Sequence, residues 1–176
     1  HYLRERPVHD LTARRIEAVI RLEAAGAEVM VATADVCNVS QMRAAIAAAT
    51  ERFGPIHGVI HAAGTVDDAP LLTKDVSSVE NVFSAKIHGT QVLDSLFPDG
   101  SIKQMVLFSS TSTITAPAGQ IDYVAANEYL NAYAKARTGD TTRVVAINWG
   151  IWKDVGMAAE AMAARHGDVP RLAPRP

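Results

Sequence analysis

At 176 residues the chain is long enough for one domain with a sizeable core. Its 48% hydrophobic and 20% charged residues are ordinary for a soluble globular protein, and a net charge of −2 offers no basic field for nucleic acid. No apolar run approaches the roughly 18 residues that cross a bilayer, and the single cysteine, Cys37, excludes an internal disulfide framework and fits a reducing cytoplasm, most simply as a small buried residue.

Taken in chain order, Ile16, Val19, Ile20 and Leu22 predict a helix that stops at Ala25-Gly26. A short strand-like run follows over residues 27–33, then Asp35-Val36. Met42, Ala45, Ile46, Ala49 and Phe53 form the apolar stripe of a second helix. Residues 56–62, entered through Gly54-Pro55, read as a second strand; residues 105–108 and 144–149 read as the third and fourth. These runs are nearly continuous, as expected of parallel strands covered on both faces. Strands alternating with helices predict a doubly wound α/β sheet.

Three placements stand out. Residues 76–97 predict a long helix with apolar Val79, Val82, Phe83, Val92, Leu93 and Leu96, and Lys86 falls on that stripe. Such a lysine either snorkels outward or has a charged role, and Gly89 one turn on would let another chain segment come close. After the third strand, residues 109–113 form a run of five hydroxyl side chains. At the carboxyl end of a strand they could bind a ligand, or simply cap a loop and helix. Finally, Tyr123 and Asn127 lie four apart on a predicted helix and share a face.

Four ordered stretches now stand together: Gly58-Val59-Ile60-His61-Ala62-Ala63-Gly64, Lys86-Ile87-His88-Gly89, Leu107-Phe108-Ser109-Ser110, and Tyr123-Val124-Ala125-Ala126-Asn127 followed by Asn148-Trp149-Gly150. With spacings of 24, 13 and 4 residues from Lys86 to Ser110, Tyr123 and Asn127 in turn, the chain resembles the ketoreductase domains of modular polyketide synthases. These are an atypical branch of the short-chain dehydrogenase/reductase superfamily, in which the Lys and Asn positions are exchanged. The resemblance runs from about Ala13 to Met157. It implies an irregular lead-in over residues 1–12, the C-terminal part of a catalytic domain over 13–157, and a lid region and linker over 158–176.

It also implies roles. Tyr123 would be the general acid for ketone reduction by NADPH. Lys86 would stabilise its phenolate and hold the nicotinamide ribose, Ser110 would hydrogen-bond the carbonyl oxygen, and Asn127 would anchor a water or orient the lysine. Ala62, Ala63 and Gly64 would bring backbone to the cofactor, with Asp35 and Val36 at the adenine; Asp35 has a turn or helix-capping role as its alternative. Trp149 would line the pocket or pack in the core. Val66-Asp67-Asp68 resembles the Leu-Asp-Asp motif of the group giving D-hydroxyl products, with a surface turn as its alternative. The tryptophan of the opposite group would fall at Thr115. The histidines are not spaced as metal ligands, and no metal is assigned.

The family's glycine-rich phosphate loop has no counterpart in the chain. The resemblance therefore implies an incomplete Rossmann-like sheet, its first βαβ unit supplied by upstream segments of the same synthase. The strand at 27–33 is expected to lack a neighbour. The substrate expected is a 3-ketoacyl chain on an acyl carrier protein. A fatty-acid synthase reductase, a catalytically silent structural domain and a non-enzymatic NADP-binding scaffold are the alternatives.

Overall fold

The computed structural model describes residues 11–152, in two units that divide between Thr33 and Ala34. In the first unit, α1 (Leu11–Ala24) stops where the sequence predicts. Gly26 adopts φ +89°, its N–H donates to Glu23 O at 2.9 Å, and Ala27 N–H donates to Leu22 O at 3.1 Å. That pair of bonds is a Schellman motif, which occupies carbonyls the helix end leaves free. The strand expected at 27–33 is not present: none of these residues enters a ladder, and Val31 is 75% exposed. An apolar run becomes a strand only where a neighbour accepts its backbone bonds, and no described residue does so here.

The second unit holds a three-stranded parallel sheet in the order β1 (Gly58–His61), β2 (Gln104–Ser110), β3 (Arg143–Trp149). The register sets His61 beside Leu107 and Ser110 beside Trp149, so the motif residues converge at the carboxyl ends of the strands. Helix α2 (Val39–Phe53) is capped by Asn38, whose side chain accepts from Gln41 N–H, and ends at Gly54 with φ +83°. A 3₁₀ turn (Leu71–Thr73) precedes α3 (Val76–Phe83) and α4 (Gly89–Leu96); α5 (Ser112–Thr115) and α6 (Ile121–Ala136) follow β2.

Leu93, Phe97, Ile102, Met105, Leu107, Leu130 and Ala134 form the core, with Met42, Ile46, Val59 and Ala146 packed against it. Helices α2, α4 and α6 thus all bury one sheet face. The other face, carrying Val106, Phe108, Val145 and Ile147, is only partly buried. The expectation of strands covered on both faces therefore holds for one face among the described residues. None of the described helices is long and apolar enough to cross a membrane.

The long helix predicted over 76–97 is interrupted around Lys86. Ser84–His88 forms a π turn between α3 and α4, with Gly89 N–H donating to Ser84 O. Such turns shift the helical register and expose carbonyls. Here the Cys37 thiol donates to Ser84 O at 3.0 Å and the Thr90 hydroxyl to Lys86 O. Gly89 is needed because Val36 closes on it: a Cβ there would lie 2.8 Å from Val36 Cγ1. The close approach read from Gly89 is thus made by a side chain of the 35–37 turn.

Candidate active site

Lys86 is 3% exposed, so it does not snorkel. The π turn directs it under the sheet's carboxyl edge, where Nζ donates to Phe108 O at 2.7 Å. Nζ also lies 5.8 Å from the centroid of the Tyr123 ring. Burial lowers the Lys86 pKa from 10.5 to about 8. Burial thus leaves the ammonium only partly hydrated beside the Tyr123 ring.

Asn127 is completely buried one turn after Tyr123. Its Nδ2 donates to Tyr123 O at 2.7 Å, while Oδ1 has no protein partner among the described residues. The bond ties Asn127 to the helix turn whose Tyr123 ring faces Lys86. The hydroxyl run resolves mostly into bonds to backbone carbonyls, two of them on neighbouring elements. Ser109 donates to Asn127 O, Thr111 to Trp149 O and Thr113 to Ser110 O. Ser110 Oγ instead accepts Ser112 N–H at 3.1 Å, which orients the oxygen and leaves its proton for another acceptor.

Gly64 lies over Lys86: a Cβ there would sit 3.0 Å from Lys86 Cε. Its smallness serves the lysine first, a reason that no sequence motif discloses. Ala62 and Ala63 are exposed beside it. Asp35 forms an Asx turn, Oδ1 accepting Cys37 N–H at 2.9 Å, and its own N–H donates to Gln41 Oε1. Val36 packs on Gly89. Trp149 stacks in a tilted row with Phe108 and Trp152, centroids 5.3 and 5.4 Å apart. In the 66–68 segment, Asp67 accepts from Ser78 Oγ at 2.6 Å and Asp68 from Gln120 Nε2 at 3.0 Å. The lid and linker expected at 158–176 lie outside the described residues.

Two features of the site do not show in the sequence: a buried ion pair, and the burial of the His61 side chain within the first motif. Lys74 and Asp122 form a buried ion pair beside Tyr123, joining charges 48 residues apart. His61 is buried next to Lys86, with its pKa lowered from 6.5 to about 4. Loss of hydration is the larger cause and the Lys86 charge the second, against opposing hydrogen bonds to the Ala85 and Lys86 backbone. Between pH 6.5 and 4 the unfolded chain therefore binds the proton that the fold refuses. Stability is complete above 6.5 and falls by about 3 kcal/mol as pH drops through this window. Denaturant titrations of the wild type and His61→Asn across pH 4–7 should show that slope in the first and its loss in the second.

The KR domain family model matches residues 6–154. The chain belongs to that family, the ketoreductase domains of modular polyketide synthases. This KR segment is 39% identical over 150 residues to a phenolphthiocerol/phthiocerol polyketide synthase of Mycobacterium tuberculosis, covering 84% of the chain and 8% of that protein. It is 34% identical to the 6-methylsalicylic acid synthase of Aspergillus terreus, with the same shares. Among solved structures, it is similar to the ketoreductase from the first module of phoslactomycin biosynthesis in Streptomyces sp. HK803. That match has TM-score 0.74 and 33% identity, and covers 91% of the chain and 37% of the other. The KR segment thus spans a small part of its relatives, and its parallel sheet is the Rossmann-like α/β arrangement of the family.

Proposed function

We propose that this KR segment supplies the proton-transfer machinery of an NADPH-dependent reductase. Its substrate would be a 3-ketoacyl thioester on an acyl carrier protein, reduced to the D (3R) hydroxyl during polyketide extension in the cytoplasm. The observation that carries the reading is the buried Lys86 ammonium, held by Phe108 O and directed at the Tyr123 ring. Negative charge develops on the ketone oxygen as its carbon is reduced. Tyr123 donates its phenolic proton to that oxygen, and Lys86 stabilises the phenolate left behind. Ser110, fixed by Ser112 N–H, donates a second hydrogen bond to the same oxygen. Asn127 holds the helix turn bearing Tyr123 and offers its free Oδ1 to a water or to the lysine.

The site fits a nicotinamide cofactor, which when bound supplies hydride. Small residues at 62–64, Lys86 and Tyr123 would hold its ribose end, and the Asp35-Val36 turn its adenine end. The glycine-rich phosphate loop and the first strands come, on this reading, from upstream segments of the same synthase. The relatives' polyketide-synthase names favour that setting over a fatty-acid synthase, and the intact four-residue set argues against a silent domain. The D assignment rests on the likeness of Val66-Asp67-Asp68 to the Leu-Asp-Asp motif; Asp67 and Asp68 are exposed and hydrogen-bonded to Ser78 and Gln120. Incubating the polypeptide that carries this chain with a 3-ketoacyl thioester should oxidise NADPH in preference to NADH and yield the D alcohol. Absence of cofactor oxidation would sink the reductase reading; a clean L alcohol would sink the stereochemical one.

A further inference from the structure

We infer that Lys74 is a positioning residue that clamps the 66–68 segment to the start of the helix bearing Tyr123, and so controls which hydroxyl epimer forms. The inference rests on the reductase reading above and deepens it. An ammonium has three N–H donors, and the three meet three different pieces of chain. One reaches Asp122 Oδ2 at 2.6 Å, one the carbonyl oxygen of Asp67, and one Ser78 Oγ at 3.4 Å. The Ser78 hydroxyl passes the contact on, donating to Asp67 Oδ2 at 2.6 Å. On the other side, Asp122 Oδ1 accepts Tyr123 N–H at 2.9 Å. One buried cation therefore spans the turn after β1, the first turn of α3 and the first turn of α6.

The side chains of Lys74 and Asp122 are each 1% exposed. Apolar residues of similar volume usually hold a core at least as well as a buried ion pair, so stability alone does not call for one here. What the pair adds is direction: it fixes the Asp67 backbone and the Tyr123 backbone relative to one charge. Ala69 N–H to Gly119 O at 3.1 Å and Gln120 to Asp68 close the same gap from the outside. A shift of the 66–68 segment is then transmitted to the residue that delivers the proton. Small misplacements of reacting groups are expensive in rate.

The test uses the synthase polypeptide carrying this chain, reducing a 3-ketoacyl thioester with chiral analysis of the alcohol. The epimer ratio reports only folded molecules, so partial unfolding of a variant cannot move it. Lys74→Met should lower the ratio at least tenfold and reduce kcat about 10–100-fold with a smaller change in KM. Asp122→Asn should move the ratio the same way, and the double variant should be no worse than the more damaging single one. Ser78→Ala removes the contacts of one hydroxyl, to Lys74 and to Asp67, and leaves the Lys74–Asp122 pair intact, and should give a smaller shift in the same direction. If the parent polypeptide reduces no 3-ketoacyl thioester, the functional reading fails. If it does, and Ser78→Ala and Asp122→Asn keep both ratio and kcat, the clamp is wrong whatever happens to Lys74→Met.

Discussion

Replacing Tyr123 by phenylalanine should lower kcat by about 10²–10⁴-fold, with a far smaller loss of cofactor affinity from the one ribose contact removed. The substitution removes one oxygen from a partly buried ring and leaves the ring where it is. Asn127 Nδ2 and Asp122 Oδ1 bond to the Tyr123 backbone, and neither bond depends on the phenol. The loss is therefore of the transferable proton and of the phenolate that Lys86 stabilises, not of the helix. Steady-state turnover and cofactor titration on the same preparation separate the two. Retained turnover with full cofactor binding would assign the proton to another donor, Ser110 being the hydroxyl already oriented at the site.

Lys86→Met should lose turnover by about 10²-fold or more and yet fold at least as stably as the wild type at neutral pH. The reason is the sign of the lysine's pKa shift. Burial brings it from 10.5 down to about 8, so the fold binds that proton less tightly than the unfolded chain does. Below pH 8 both states hold it and the charged form destabilises the fold by about 3 kcal/mol; between pH 8 and 10.5 stability rises as the folded state releases it. Methionine removes that penalty and also strands Phe108 O, which costs about 1–3 kcal/mol. The net expectation runs from no change to about 2 kcal/mol of stabilisation at pH 7, with the alkaline rise abolished. Urea titrations at pH 7 and pH 10 measure both. A Lys86→Met variant markedly less stable at pH 7, or still gaining stability toward pH 10, would show that the ammonium is not a burden on the fold. The expected outcome is a site whose chemistry is bought with stability, as functional sites often are.

The residues best read from the sequence are those whose signal is local. The stop of α1 at Gly26 is written in a residue that tolerates positive φ, and the Schellman bonds follow from it. Lys86 announces itself by occupying an apolar stripe, and Tyr123 with Asn127 by their four-residue spacing, because helical periodicity relates neighbours within a turn or two. The same logic overreaches at residues 27–33, where strand-forming composition finds no partner, and across 76–97, where periodicity reads straight through the π turn.

What the tertiary structure alone decided are the meetings between distant segments. Whether Lys86 reached solvent or the core depended on the π turn and on Phe108 O, 22 residues away. The Lys74–Asp122 pair joins residues 48 apart, and the neutral state of His61 depends on burial beside a lysine from another element. A charge carries no mark in the sequence of the partner it will meet or of the water it will lose. The sequence by itself determined which residue types stand at which spacing, and with them the family and the four residues proposed for the site. Packing determined the lowered pKa values of Lys86 and His61, the orientation of the site residues and the buried ion pair beside them, because hydration and distance are properties of the folded chain.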